Sequence, residues 1–110
     1  MTFRWPGKVE GSYGYDSGGC KWSSSKFQDY GPVFDTGDVV GCGVLLDGGA
    51  CFFTRNKEFL GVAFRGVQRG LYPTVGFWDR GAVEANFGQS AFRYDLDWGR
   101  VKRLCRDGAQ

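Results

Sequence analysis

The sequence lacks histidine altogether, and it contains only 3 prolines and one methionine in 110 residues. Without histidine there is no Ser-His or Cys-His pair for nucleophilic catalysis. Its 12 carboxylates include one close same-face pair in an extended chain, Asp95 and Asp97, beside a basic tail where solvated charge is the ordinary state. We therefore predict that the protein is not an enzyme and that it binds no metal and no cofactor.

Long apolar runs and a strong charge of one sign are also missing. No stretch approaches the roughly 18 apolar residues of a transmembrane span, and the first residues contain no apolar segment typical of a signal peptide. The net charge is only +2 and is spread along the chain, which argues against nucleic acid or a membrane as the partner. The sequence predicts a cytoplasmic or nuclear protein, secreted only if a signal peptide precedes this chain.

Glycine and aromatic residues, by contrast, are abundant. The chain has 19 glycines and 17% aromatic residues, a composition typical of short strands joined by glycine turns and not of a disordered chain. A chain of this length forms one domain at most. The composition therefore predicts a single all-β domain.

The clearest pair of strands lies within residues 37–56, where two apolar runs flank the Asp-Gly-Gly-Ala of residues 47–50. An Asp-Gly-Gly junction supplies the positive backbone angles of a tight hairpin. Gly41 and Gly43 leave a trough on one face over which large side chains can lie. Both faces of the hairpin then appear covered, as in a two-layer β structure. With Gly48 and Gly49 as the turn, the register pairs Leu46 with Cys51, Val44 with Phe53 and Cys42 with Arg55.

The four cysteines, at positions 20, 42, 51 and 105, have no C-x-x-C spacing. A zinc site would therefore need all four from unrelated places. In the predicted register, Cys42 and Cys51 lie on the order of 13 Å apart, beyond the reach of a disulfide. We interpret all four as buried free thiols, which agrees with a reducing compartment.

Further strands and one helix are predicted along the rest of the chain. Residues 58–64 alternate Phe59, Gly61 and Ala63 against Leu60, Val62 and Phe64, which indicates a third antiparallel strand. Residues 97–106 carry apolar side chains near a spacing of 3.6 and form the one helical candidate. Other short extended segments are expected at 11–16, 20–22 and 27–33, and a second hairpin at 71–77 and 82–87 around the loop 78–81.

Several of these segments resemble motifs of a SPRY (B30.2-type) domain, in particular its second half. The motifs are GSYGYD at 11–16, TGDVVGC at 36–42, CFFTRN at 51–56, LYPTV at 71–75 and EANFG at 84–88. The sequence is similar to the Ran-binding protein M group, which includes secreted effectors of plant-parasitic nematodes. The resemblance covers about residues 11–96, with 1–10 as an irregular lead-in and 97–110 as a basic tail.

The resemblance implies a concanavalin-like antiparallel β-sandwich that binds a protein or peptide through loops at one end, without catalysis. In the Ran-binding protein M group such domains belong to scaffolds of ubiquitin-ligase assemblies. Only ten residues precede the Gly-Ser-Tyr-Gly-Tyr motif, so we expect a sandwich incomplete at its N-terminus. An exposed apolar face or sheet edge would then favour self-association. The family's Asn-Gly turn is Asn56-Lys57 here, which predicts a strained or a longer turn.

The expected binding site lies in the loops around 17–26, 55–57 and 78–81. The resemblance places the loop of Trp78, Asp79 and Arg80 at a peptide-binding position of SPRY domains. Aromatic and arginine side chains are common interface anchors, and we predict that further anchors converge on the same rim. These further anchors are Tyr13, Trp22 and Arg55. The alternative for Tyr13 and Trp22 is a place in the core.

Two alternatives stay open at this stage. A glycan-binding or glycan-cleaving jelly roll would also carry aromatic side chains on its rim. Such a protein should show paired carboxylates or a metal site in a concave groove, whereas a peptide binder should show a shallow apolar pocket.

The tail carries a cluster of cations that either contacts RNA or an acidic partner or, as we favour, forms a solvated helix end. These cations are Arg100, Lys102, Arg103 and Arg106.

Overall fold

The computed structural model describes residues 11–68, 70–71, 84–86, 91–92, 94 and 96–106. Within them the strands form two three-stranded antiparallel sheets, ordered β1-β2-β3 and β4-β5-β6. The predicted all-β class is confirmed. The predicted hairpin of residues 71–77 and 82–87 and the lead-in 1–10 fall largely or wholly outside the described residues. The elements are β1 (Tyr13–Tyr15), β2 (Cys20–Ser23), β3 (Lys26–Asp29), β4 (Val40–Leu45), β5 (Ala50–Arg55), β6 (Glu58–Phe64) and α1 (Trp98–Arg106).

Strand β5 lies at the centre of the described fold. Its residues Ala50 to Thr54 are all buried. Phe52 belongs to a cluster with Val62, Val101 and Cys105, on the side that carries α1. Phe53 belongs to a second cluster, on the side that carries β1 and β2. Because side chains alternate along a strand, β5 supplies both clusters. The sheet β4-β5-β6, here called the larger sheet because its strands are longer, therefore lies between α1 and the sheet β1-β2-β3, here called the smaller sheet.

The β4-β5 hairpin has a longer turn than predicted. The strands end at Leu45 and resume at Ala50, so the turn comprises four residues, and Gly49 N–H donates to Leu45 C=O at 3.0 Å. Gly48 and Gly49 have φ of 89° and 68°. The predicted register was therefore wrong by two residues, but such a shift leaves every side chain on its predicted face. The observed pairs include Val40 with Arg55, Cys42 with Phe53 and Val44 with Cys51.

Among the described residues, only one face of β4 is covered. On the α1 side a Cβ at Gly43 would collide with the Phe52 ring, and one at Gly41 would lie 2.5 Å from Thr54 Oγ1. The predicted trough is therefore confirmed, and large side chains fill it. On the opposite side Val40 and Val44 are each 37% exposed. The prediction that both faces are covered was wrong for β4, since the smaller sheet packs against β5 and β6.

Strand β6 departs from the predicted alternation. It pairs Thr54 with Phe59, Phe52 with Val62 and Cys51 with Phe64, so two irregularities add residues to β6. Gly61 lies in the first with φ of 99°, and its C=O accepts a 2.5 Å hydrogen bond from the Tyr30 hydroxyl. The strict alternation was therefore wrong: Phe59 and Val62 pack on the α1 side, and Leu60, Ala63 and Phe64 pack on the other.

Helix α1 confirms the helical pattern of residues 97–106. Asp97 caps it, because Asp97 Oδ1 accepts the Arg100 N–H at 3.1 Å and Asp97 C=O accepts the Val101 N–H at 2.9 Å. Val101 and Cys105 are each 2% exposed. The Asp97 carboxylate thus has a structural role at the start of the helix.

Candidate functional site

The β5-β6 turn is anchored to the start of β4 by Asn56. Asn56 N–H donates to Val39 C=O at 2.6 Å, and Asn56 Oδ1 accepts the Val39 N–H at 3.0 Å. Asn56 Nδ2 donates to Asp38 Oδ1 at 3.3 Å. The turn keeps two residues, with φ of 57° at Asn56, and asparagine is among the residues that tolerate this conformation best. The turn is therefore not longer than in the family, and the predicted strain at Lys57 does not arise, because the residue with positive φ is Asn56.

Asp38 adds charge to this junction. Its Oδ2 accepts the Asp35 N–H at 2.9 Å. The hydrogen bonds from Asp35 and from Asn56 lower the pKa of the Asp38 carboxyl below its ordinary value. Loop 35–38, the start of β4 and the β5-β6 turn are therefore tied together around an ionised carboxylate.

Arg55 lies at the end of β5, beside this junction. It is half-buried, and its Nη1 donates to Val33 C=O at 3.0 Å. The neighbouring Pro32 C=O accepts the Tyr15 hydroxyl at 2.5 Å. The guanidinium has five N–H donors, so a partner can use those that Val33 does not engage. Arg55 thus holds the segment after β3 in place at one end of the sandwich.

Trp22 and Phe27 form a stacked pair, called here the aromatic pair, on the outer face of the smaller sheet. The two residues are opposite each other in the β2-β3 register, and their rings are 4.8 Å apart at 31°. The Trp22 indole N–H donates to Asp16 Oδ2 at 2.7 Å, which fixes its orientation. Phe27 is 63% exposed. The pair is a preorganised aromatic surface of the kind that anchors protein interfaces.

Tyr13 lies on the other face of the same sheet. It is paired with Ser23, and Trp22 is paired with Gly14, so the Tyr13 and Trp22 side chains point to opposite faces. The Tyr13 ring packs 4.9 Å from the Phe64 ring and is half-buried against the second core cluster. The structure does not bring Tyr13 and Trp22 to one rim, and the core alternative describes Tyr13 better.

Phe27 was not singled out from the sequence. Ser24 and Ser25 have φ of 50° and 65° and form a two-residue turn between β2 and β3, where the sequence indicated only a polar loop. Left-handed serines are uncommon, so the turn was hard to recognise. The signal available in the sequence was that two aromatic residues, Trp22 and Phe27, flank a short polar segment.

An open groove of about 700 Å³ adjoins the aromatic pair. Lys21 crosses from the smaller sheet to the larger one, where its Nζ donates to Ala63 C=O at 2.7 Å and lies 5.5 Å from the Phe64 ring centroid. The groove is therefore a shallow, partly aromatic surface with positive charge. Its lining includes Lys21, Lys26, Phe27, Gln28 and Phe64.

The three remaining predicted site residues, Trp78, Asp79 and Arg80, lie outside the described residues. Among the residues that are described, no group of three or more His, Cys, Asp or Glu side chains could hold a metal ion. No helix in the described ranges is long and apolar enough to span a membrane.

The cysteines are all free thiols, as predicted, although their burial differs from the prediction. Cys51 and Cys105 are buried, whereas Cys42 is exposed and Cys20 is half-buried. The predicted separation of Cys42 and Cys51 was also wrong, because the two-residue shift makes them diagonal neighbours on one face. A hydrogen bond between the two thiols lowers the pKa of Cys42 and raises that of Cys51.

The geometry defines an antiparallel β-sandwich with an exposed aromatic surface and shallow grooves. Residues 1–90 match the SPRY domain, and the chain belongs to that family. The match includes the ten residues predicted as a lead-in. The predicted resemblance to the SPRY family is therefore confirmed. The domain bounds 11–96 and 97–110 stay predictions.

Relatives of known name agree with this assignment. The chain is 50% identical over 97 residues to Ran-binding protein 9 of Xenopus tropicalis, covering 86% of this chain and 18% of that protein. It is also 50% identical over 97 residues to Ran-binding protein 10 of Danio rerio, covering 86% of this chain and 16% of that protein. It is 45% identical to dual specificity protein kinase splA of Dictyostelium discoideum, over 76% of this chain and 4% of that protein. The chain thus spans less than a fifth of each.

Proposed function

We propose that this chain is a non-catalytic module that binds a partner peptide or protein through the loops at one end of its sandwich. The observation that carries the proposal is the aromatic pair: an exposed Phe27 stacked on a Trp22 that Asp16 holds in place. The loop of Trp78, Asp79 and Arg80 completes the proposed site, whereas Arg55 pairs with Glu58 at the end of the β5-β6 ladder opposite to Phe64 and would act as a separate anchor. Tyr13 supports it from beneath through its contact with Phe64.

Membership of the SPRY family supports this proposal over the jelly-roll alternative. The groove beside the aromatic pair is lined by lysines and aromatic rings and not by paired carboxylates, which suits a peptide better than a glycosidic bond. The name of the kinase relative describes a protein of which this chain spans 4%. Kinase activity is therefore not part of the proposal.

The finer parts of the proposal follow from the resemblance to the Ran-binding protein M group. The module would serve in a Ran-binding-protein-like scaffold or as a ubiquitin-ligase adaptor, in the cytoplasm, with a protein as partner and with no cofactor. The exposed β4 face, with Val40 and Val44, would also allow weak self-association. Sedimentation velocity across a concentration series tests this, and a monomer at every concentration would contradict it.

Affinity capture with matched variants tests the proposed site. We expect Phe27→Ala and Trp78→Ala to lose the proteins that the wild-type chain retains from a cell extract. Phe92→Ala is the control for Phe27→Ala, because Phe92 is 60% exposed and Phe27 63%, so both changes remove an exposed ring. Circular dichroism confirms that each variant is folded. If all variants capture the wild-type set of proteins, the proposed site is wrong.

A further inference from the structure

A second open groove, here called the basic groove, lies between α1 and the β4-β5 turn, with a volume of about 500 Å³. Three cations from two parts of the chain line it. Lys102 and Arg106 are four residues apart on α1 and therefore share one side of the helix, and Arg65 follows β6. Among the described residues that line it, Asp47 is the only acidic one. The groove therefore carries a net positive charge.

The floor and rim of the basic groove are apolar. Leu45 and Ala50, at the ends of β4 and β5, line its base together with Cys105. Leu46 lies at the rim and is 67% exposed. Covering such an exposed leucine with an apolar side chain of a partner would stabilise the complex, because apolar area is removed from water.

The charges converge on the same space. Arg65 lines the groove together with Lys102 and Cys105 of α1, and its charge opposes the rise in pKa that burial causes at Cys105. Three like charges around one groove repel one another, and an anionic ligand would relieve this repulsion. Guanidinium groups suit carboxylates in particular, since they donate two parallel hydrogen bonds.

We infer that the basic groove binds an acidic amphipathic peptide segment of a partner protein. Carboxylates of the peptide would pair with Arg65, Lys102 and Arg106, and an apolar side chain would cover Leu46. The apolar floor and Asp47 favour a peptide over RNA, whose unbroken phosphate charge suits a groove without a carboxylate and whose bases need aromatic rings to stack on. In the part of the chain that the structure describes, the basic groove shares no lining residue with the groove beside the aromatic pair, so the inference does not depend on the proposed loop site.

Fluorescence anisotropy with a labelled peptide of alternating Glu and Leu residues tests the inference on the full chain. We expect Lys102→Glu/Arg106→Glu to weaken binding about tenfold or more, because two attractive charges become repulsive. Arg100→Glu/Arg103→Glu is the control, since it makes the same change in net charge on the same helix with residues that do not line the groove. It should change the affinity less than about twofold. Leu46→Ala should weaken binding about threefold through lost apolar contact.

Three results would overturn the inference. The wild-type chain could fail to bind the peptide, or both charge-reversed variants could lose affinity equally, which would indicate a diffuse charge effect. A single-stranded oligouridylate could bind more tightly than the peptide and depend on the same residues. Phe27→Ala should leave peptide binding unchanged, so failure of the loop site and failure of the basic groove give different results.

Discussion

Asn56 shows how much a single residue contributes to this fold. It occupies a left-handed conformation with φ of 57° and makes three hydrogen bonds to Asp38 and Val39. A side chain that satisfies neighbouring backbone groups offsets part of the conformational cost, which is about 1 kcal/mol. The two-residue turn therefore forms with asparagine and lysine in place of the expected Asn-Gly.

We predict that Asn56→Ala lowers the free energy of unfolding by about 2 kcal/mol, because it loses two side-chain hydrogen bonds and keeps an unfavourable φ. Asn56→Gly loses the same hydrogen bonds, but glycine adopts a positive φ without strain. The free energy of unfolding should therefore fall by about 1 kcal/mol. Urea denaturation of the three proteins measures both. Equal stability of all three would mean that Asn56 does not anchor the turn.

Cys42 is the thiol that should react first. It is exposed, and its thiolate accepts a hydrogen bond from Cys51, which lowers its pKa. The pKa values of the other thiols are raised, by burial for Cys20 and Cys105 and by the hydrogen bond with Cys42 for Cys51. Since alkylation follows the thiolate fraction, the rate at Cys42 should level off at a lower pH than the rates at the other three.

Iodoacetamide labelling from about pH 6 to pH 9, followed by peptide mass spectrometry, measures these rates across the range where thiols ionise. Cys51→Ala removes the donor and should slow the reaction of Cys42 at the lower pH values. Cys20→Ala should leave it unchanged. Faster labelling of Cys20 than of Cys42 in the wild-type chain would contradict the arrangement of β4 and β5.

At the scale of elements, the β2-β3 turn is a weak point of the smaller sheet. Ser24 and Ser25 both have positive φ, a conformation that favours glycine and asparagine. We predict that Ser24→Gly raises the free energy of unfolding by about 0.5 to 1 kcal/mol, since glycine adopts this φ without a steric penalty. Ser23→Gly, one residue earlier in β2, should lower it by a similar amount. Thermal unfolding distinguishes the two, and a loss of stability with Ser24→Gly would contradict the turn.

The sequence predicted the elements better than their alignment. Apolar runs on either side of the Asp-Gly-Gly junction identified β4 and β5 and the faces of Cys42, Val44 and Phe53, and the apolar pattern of residues 58–64 identified β6, because such patterns depend on burial alone. The register depended on a four-residue turn whose Gly49 C=O accepts the Val67 N–H at 3.0 Å. The irregularity at Gly61 depended on a hydrogen bond from Tyr30, 31 residues away. A local pattern does not contain contacts of this kind.

The candidate site was predicted only in part, for a similar reason. Trp22 and Arg55 were predicted because aromatic and arginine side chains are common interface anchors. Phe27 was missed because its position opposite Trp22 follows from the Ser24-Ser25 turn. The basic cluster at the end of the chain was interpreted as a solvated helix end, since no local pattern indicates that Arg65 lies beside α1.

For the whole molecule, the decisive feature is the place of β5 between two layers. The helix covers the larger sheet on one side and the smaller sheet covers it on the other. This arrangement brings α1 to the β4-β5 turn, where the basic groove lies, and leaves the aromatic pair on an outer face. Both proposed binding surfaces therefore depend on two adjacent phenylalanines, Phe52 and Phe53, pointing to opposite sides.

Aromatic nuclear Overhauser contacts of the folded chain test this arrangement most directly. The account predicts cross-peaks from the Phe52 ring to Phe59 and Trp98, whose centroids lie 5.3 and 6.1 Å away. It predicts cross-peaks from the Phe53 ring to Tyr15 and Tyr30, at 5.3 and 5.9 Å. Contacts from both phenylalanines to the same set of rings would contradict the layered packing on which both binding surfaces depend.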